Sequence, residues 1–253
     1  MPLIQAAGRT VEIALAAFDK DGTLVDFDRL WATKIRASVT AVLERTGRSD
    51  GLEPLLLRTL GVDAASGSVL PESPMAVSTL PKIGTICAAV LYQHGFGWRE
   101  SETIVREAFQ PVLEAPAPPD ALRPIGDVAA LFADLKRSGA AVAIVTSDDR
   151  RSTSQTLAPL GIEALVDGMV CGDDRFASKP SPDGLLHLAQ SLGVAPDQVM
   201  MVGDSATDVL TGRNAGAGLC VGVLSGIGRH EDMAPHADAV LPDIHALRIL
   251  QGG

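Results

Sequence analysis

The sequence predicts an α/β fold: an open, doubly wound parallel sheet with helices on both faces and a helical domain inserted after the first strand. Three observations predict it. Short apolar runs at 11–18, 140–145, 199–202 and 219–224 are too brief for independent helices, and each ends near Gly, Asp, Ser or Thr, as buried parallel strands do. Amphipathic stretches of helical length lie between them at 126–138, 152–160 and 182–192. Val128, Leu131, Phe132 and Leu135 share a face of the first, and Leu185, Leu186, Leu188 and Ala189 recur along the third. Such alternation implies right-handed crossovers in one sheet.

The third observation is a break in that rhythm. Residues 28–114 read as almost wholly helical, with segments at 29–46, 52–60, 75–93 and 99–113, in which Pro81 and Pro111 must start, bend or end a helix. The stretch Ala115-Pro116-Ala117-Pro118-Pro119-Asp120 closes it as a stiff connector. The expected layout is a core of residues 1–27 and 115–253 carrying an inserted domain of residues 28–114, with a mobile loop at 64–74.

Composition narrows the function classes. The chain has 253 residues, 46% of them hydrophobic, so burial can offset the ordering entropy and a disordered protein is excluded. Cys87, Cys171 and Cys220 are odd in number, far apart and outside any CxxC pair, which excludes a disulfide scaffold and a thiolate metal cluster. They read as buried thiols in a reducing compartment. The opening residues lack the pattern of a secretory signal and no run approaches a membrane span, so a soluble cytoplasmic protein is expected. A formal charge of −10 with no Lys/Arg block argues against nucleic acid. It also means that a site for an anionic substrate must supply its own positive field.

Four places can carry chemistry. Phe18-Asp19-Lys20-Asp21-Gly22-Thr23-Leu24 follows the first strand, at the edge where open α/β sheets bind ligands. The spacing aims Asp19 and Asp21 the same way if the strand continues that far; otherwise Asp-Gly is a tight turn. Thr146 and Ser147 end a second strand, where hydroxyl and backbone N–H groups can hold a phosphate oxygen, although such pairs also cap helices. Lys179, in Ser178-Lys179-Pro180-Ser181-Pro182, can neutralise a phosphoryl group, or be solvated surface. Gly203-Asp204-Ser205-Ala206-Thr207-Asp208 runs from a strand into a helix starting near Ser205, with Asp208 one turn inside.

Together these motifs point into one crevice. Asp19, Asp21, Asp204 and Asp208 would face a dianionic phosphate with only Lys179 to oppose them, which is untenable without a shared proton and a divalent cation. Oxygen ligands suit Mg²⁺, and His94, His187, His230, His236 and His245 form no ligand spacing.

In this order and spacing the four motifs resemble those of the haloacid dehalogenase superfamily: DxDxT, a strand ending in Thr or Ser, a Lys, and GDxxxD. The resemblance covers the whole core, implies a Rossmann-like sheet, and matches residues 28–114 to a helical cap. It implies that Asp19 is a nucleophile forming an aspartyl-phosphate and Asp21 a general acid and base. It further implies that Mg²⁺ is held by the carboxylates of Asp19 and Asp204 and the backbone carbonyl of Asp21. Thr146, Ser147 and Lys179 would bind the phosphoryl group, and Asp208 would support a metal-bound water or orient Lys179. The second acid favours P–O bond cleavage, hence a phosphatase acting on a small phosphorylated metabolite, similar to phosphoglycolate phosphatases. A sugar phosphomutase shares the same acid pair, and a phospho-acceptor module is a more distant alternative. Substrate choice falls to the cap, where Lys34, Arg36 and Lys82 are candidate contacts expected to be solvated, and Trp31 is expected to pack with Ile35, Val39 and Val42.

Overall fold

A computed structural model of the protein describes residues 1–48, 51–71, 73–118 and 120–250. The chain divides into two compact units, Met1–Phe27 with Leu122–Gly253, and Asp28–Ala121.

Among the described residues the first unit holds nine strands: β1 (Leu3–Ala6), β2 (Arg9–Glu12), β3 (Leu15–Phe18), β4 (Ala141–Val145), β5 (Gly168–Val170), β6 (Val199–Gly203), β7 (Leu219–Val223), β8 (Ala239–Leu241) and β9 (Arg248–Leu250). Six form one parallel sheet in the order β5-β4-β3-β6-β7-β8. Both faces are covered, which is why the strands are continuous apolar runs: all four residues of β3 and all five of β6 and β7 are buried. Side chains still alternate between faces. Ala16 and Phe18 pack with Phe132, Val142, Ile144 and Met200 on one side, while Leu15 and Ala17 pack with Leu185, Leu188, Met201 and Val209 on the other. Each large side chain fully buried there stabilises the fold by about 1.5–3 kcal/mol.

The run at 11–18, expected as one strand, is two. Ile13 and Ala14 turn the chain, their N–H groups donating to Pro2 O at 3.0 Å and Gln198 O at 2.9 Å, so only Leu15–Phe18 enters the large sheet. Residues before it form an antiparallel sheet β2-β1-β9 that the sequence expectation lacked. Its hairpin turns at Ala7 (φ 46°) and Gly8 (φ 84°), a pair with positive φ at both central positions. Arg9 on β2 and Arg213 both pair with the buried carboxylate of Asp238, which also accepts from Cys220 N, fastening the hairpin to β7.

Three crossover helices start with sequence-encoded caps. Asp127, Asp149 and Ser205 accept from the third backbone N–H beyond them, opening helices Val128–Arg137, Arg150–Leu157 and Ala206–Ala215. Asp183–Ser191 is the fourth helix against the sheet.

The second unit is helical. Its helices are Phe27–Thr46, Leu52–Leu60, Pro74–Val77, Leu80–Gln93, Trp98–Ile104 and Gln110–Glu114. The segment expected at 75–93 is broken at Ser78, whose extended backbone (ψ 153°) separates two helices. Pro81 sits in the first turn of the second, where its missing N–H costs nothing. Pro111 is accommodated differently: a π-helical turn, Val105–Phe109, precedes it within a continuous run. The stretch at 64–74 carries an Asx turn in which Asp63 Oδ1 accepts from the N–H groups of Ala65 and Ser66. Trp31, Ile35, Val39 and Val42 are buried on one helix face, as expected. Lys34 is not solvated: it is 7% exposed, with its ammonium 5.1 Å from the Trp31 ring centroid. Among the described residues no helix is long and apolar enough to cross a membrane, and all three cysteines are buried and unpaired with one another.

Candidate active site

Strand register assembles the site. Phe18 stands level with Ile144 on β4 and Val202 on β6, so Asp19, Thr146 and Asp204 emerge within one residue of each other at the carboxyl edge of three adjacent strands. The ladder continues into them: Asp19 N donates to Val202 O at 2.8 Å and Thr146 N to Val170 O at 3.0 Å. Asp19, Thr146, Asp204 and Asp208 are all buried.

Lys179 reaches this edge from the loop before helix Asp183–Ser191. Its ammonium donates to Asp19 Oδ1 at 2.7 Å, Asp208 Oδ1 at 2.5 Å and Val145 O at 3.2 Å. Asn214 Nδ2 fixes that loop by donating to Pro180 O at 2.9 Å. Asp208 is neither exposed nor loosely held. Its Oδ2 accepts from Ser205 N at 3.1 Å and Ser205 Oγ at 2.5 Å, a reciprocal cap that locks the carboxylate beneath Lys179. A Cβ on Gly203 would overlap Asp208 Cβ, so only Gly fits there.

Asp204 is caged by a segment absent from the sequence expectation, residues 225–228 after β7. Its Oδ2 accepts from Ile227 N at 2.9 Å, and its carbonyl from Gly228 N at 3.0 Å. Ser225 Oγ donates to Gly22 O at 2.7 Å. A Cβ on Gly226 or on Gly22, where φ is +77°, would overlap Asp204 Oδ2. Both glycines are therefore required by close approach, and at Gly22 by the left-handed backbone as well.

The strand ends at Phe18, so the alternation argument for Asp21 does not apply. A turn places it instead, with Leu24 N and Val25 N donating to Lys20 O at 2.8 and 3.2 Å and an isolated bridge between Asp21 and Val25. Lys20, between the two aspartates, is 1% exposed and a second cation in a site expected to have one. It pairs with Asp21 Oδ1 at 2.5 Å and Asp148 Oδ2 at 3.0 Å. Thr146 is not a helix cap, a role taken by Asp149; its Oγ1 accepts from Asp148 N at 3.2 Å. Ser147 is exposed.

The electrostatics are those of an anionic cluster needing a cation. Burial pushes the Asp19 carboxyl up from 3.8 to about 7, against the pull of Lys179, and Asp208 adds to the rise. Burial likewise holds Asp204 well above the ordinary carboxylate range, with Asp208 and Asp19 reinforcing it. Burial disfavours the Lys179 ammonium, but Asp19 and Asp208 outweigh it and the net shift is upward. Asp19, Asp204 and Asp208 each present an oxygen within 4.8 Å of the others, with no His or Cys in the group. Three desolvated hard oxygen donors sharing one ammonium fit a hard divalent cation, which would favour their charged forms.

A pH dependence follows. A carboxyl whose folded pKa is raised contributes stability that is complete below its unfolded value and lost as pH rises through the folded one. Metal-free protein should therefore lose Tm between about pH 4 and about pH 7 relative to an Asp19→Asn variant. The Tm gain on adding a divalent cation should grow over the same range, as bound protons no longer compete. Thermal melts in chelator and in cation across that range check both; identical wild-type and variant profiles would contradict them.

Carboxylates at strand ends, a loop lysine and a capped helix thus meet at one edge of the sheet. The chain belongs to the haloacid dehalogenase-like hydrolases, whose family model matches residues 13–216. Among its relatives, a plasmid-encoded phosphoglycolate phosphatase of Cupriavidus necator is 35% identical over 123 residues, 49% of this chain and 53% of that protein. Phosphoglycolate phosphatase 1 of Pseudomonas aeruginosa is 27% identical over 230 residues, 90% of this chain and 76% of that protein. The chain spans about half the length, or less, of the first curated relatives it matches. Its fold is shared with the crystal structure of a predicted phosphoglycolate phosphatase from Haemophilus somnus, at 21% identity and a TM-score of 0.63, covering 91% of this chain and 94% of that one.

Proposed function

We propose that the protein is a Mg²⁺-dependent phosphomonoester hydrolase acting on a small phosphorylated metabolite through an aspartyl-phosphate, similar to phosphoglycolate phosphatases. The observation that carries this reading is Asp19 itself. It is a buried strand-end carboxylate with its Oδ1 on Lys179, and it shares a cation-competent cluster with Asp204 and Asp208.

Asp19 attacks phosphorus, forming a carboxyl O–P bond as the ester P–O bond breaks, and Asp21 gives a proton to the departing oxygen. Asp21 then takes a proton from water, which attacks phosphorus, releases inorganic phosphate and restores Asp19. Thr146, Ser147 and Lys179 bind the transferring group, with Lys179 supplying the positive field that the net charge of −10 does not. Asp208 orients Lys179, both of its oxygens being committed to Lys179 and Ser205. Asp19 and Asp204, with the Asp21 carbonyl, would hold Mg²⁺, which when bound neutralises charge between carboxylate and phosphate.

Substrate choice is assigned to the helical unit, in the role of a cap, because the core supplies only groups for the phosphoryl end. Three buried free thiols favour a reducing compartment, the cytoplasm. A panel of small phosphorylated acids, sugars and nucleotides, assayed for phosphate release with Mg²⁺, tests the function. Many turnovers on at least one alkyl phosphate are expected. Release that stops after one equivalent would sink the hydrolase reading, and transfer between sugar hydroxyls would replace it with a mutase.

A further inference from the structure

Lys20 is unused in the reaction above, yet it is among the most completely buried large side chains of the protein. A lysine costs a great deal to bury unless its charge is matched, and the matching here is specific. Its ammonium lies between Asp21 Oδ1 at 2.5 Å and Asp148 Oδ2 at 3.0 Å. Each carboxylate belongs to a different strand-end loop. Asp21 follows β3 in a turn whose amides close on the Lys20 carbonyl. Asp148 follows β4, with its N–H donating to Thr146 Oγ1 at 3.2 Å and its carbonyl accepting from Gly172 N at 2.7 Å. Gly172 admits no side chain, since a Cβ would overlap Ser147 O. The Asp148 backbone is thus anchored from two sides, and Lys20 transmits that anchorage to the Asp21 carboxylate.

The geometry points to Lys20 as a positioning residue that, braced by Asp148, fixes the Asp21 carboxylate for proton transfer to the leaving group. This rests on the reading of Asp21 as acid and base. A carboxylate at the end of a turn has rotamer freedom, and a misplacement of about 1 Å can cost about 10²-fold in rate. One oxygen of Asp21 bonded to Lys20 removes that freedom. Lys20 also supplies the counter-charge that keeps Asp21 and Asp148 from separating. A lysine serving only to stabilise the fold would affect all substrates alike; one that places the acid affects those whose leaving oxygen needs a proton.

The test compares kcat/KM, which reports steps through phosphoryl transfer, on para-nitrophenyl phosphate and on the best alkyl phosphate of the panel, both with Mg²⁺. For Lys20→Met a loss of about 10²-fold is expected on the alkyl ester. A loss below about 5-fold is expected on the aryl ester, whose leaving group scarcely needs a proton. Lys20→Arg should recover part of the alkyl activity, and Asp148→Asn should reproduce the split more mildly and report on the role if Lys20→Met does not fold. Asp21→Asn is the reference. If it splits the two esters while Lys20→Met and Asp148→Asn lose equally on both, the positioning role is overturned. If Asp21→Asn itself treats both esters alike, the acid–base reading falls and the role of Lys20 falls with it.

Discussion

Asp19→Asn is expected to be a folded protein that releases phosphate at least about 10⁴-fold more slowly than the wild type, the scale on which loss of a nucleophile acts in other covalent catalysts. The amide keeps the shape of the carboxylate but cannot form the O–P bond. In metal-free protein near neutral pH the variant should melt no lower than the wild type, and the reason is specific to this site. Lys179 retains Asp208 at 2.5 Å and Val145 O at 3.2 Å, so removing Asp19 does not strand a buried ammonium. Burial raises the Asp19 carboxyl to about 7, so ionising it near neutral pH works against the fold, a cost that the amide does not carry. Phosphate release and circular dichroism on the same preparation check both halves. Near-wild-type turnover would remove Asp19 from the role proposed for it.

Removing divalent cation is the second large effect. Chelation should reduce turnover by at least about 10²-fold, several kcal/mol of charge stabilisation being lost, and Mg²⁺ should restore it. The physical reason is the imbalance around Lys179: Asp19, Asp204 and Asp208 are desolvated together, and an incoming phosphate adds further negative charge. Lys20 does not relieve this, because its ammonium is committed to Asp21 and Asp148. Asp204→Asn should weaken the response to Mg²⁺, shifting the concentration needed for half-maximal activity upward. Full activity in chelator would contradict the charge argument.

The parts of the site visible in sequence were those written as strand endings. Asp19, Thr146 and Asp204 each follow an apolar run, and parallel register brings such endings to one edge. Asp208 was legible because Ser205 three residues before it marks a helix start. Lys20 was not, since a lysine between two aspartates in a chain looks like a solvated charge and only the third dimension brings Asp148 to it. Residues 225–228 have no place in the sequence expectation because Ser, Gly and Ile carry no chemical signature; what they contribute is backbone N–H groups and the absence of side chains around Asp204. A further strand ending at the same edge was the available clue.

Errors in the fold had similar causes. The run at 11–18 is apolar throughout, so nothing local marks the turn at Ile13 and Ala14, which long-range bonds to Pro2 and Gln198 create. The preceding hairpin uses Ala7-Gly8 in place of the stronger Asn-Gly signal. After the break at Ser78 a new helix starts with Pro81 in its first turn; a proline that can start, bend or end a helix does not by itself say which.

The central claim is that Asp19 carries the phosphoryl group between substrate and water. Acid quenching during turnover, followed by peptide mass mapping, measures this most directly. One phosphoryl group is expected on the peptide containing Asp19, present only while substrate lasts and missing in Asp19→Asn. The same label on a different residue, or undiminished in that variant, would contradict the account.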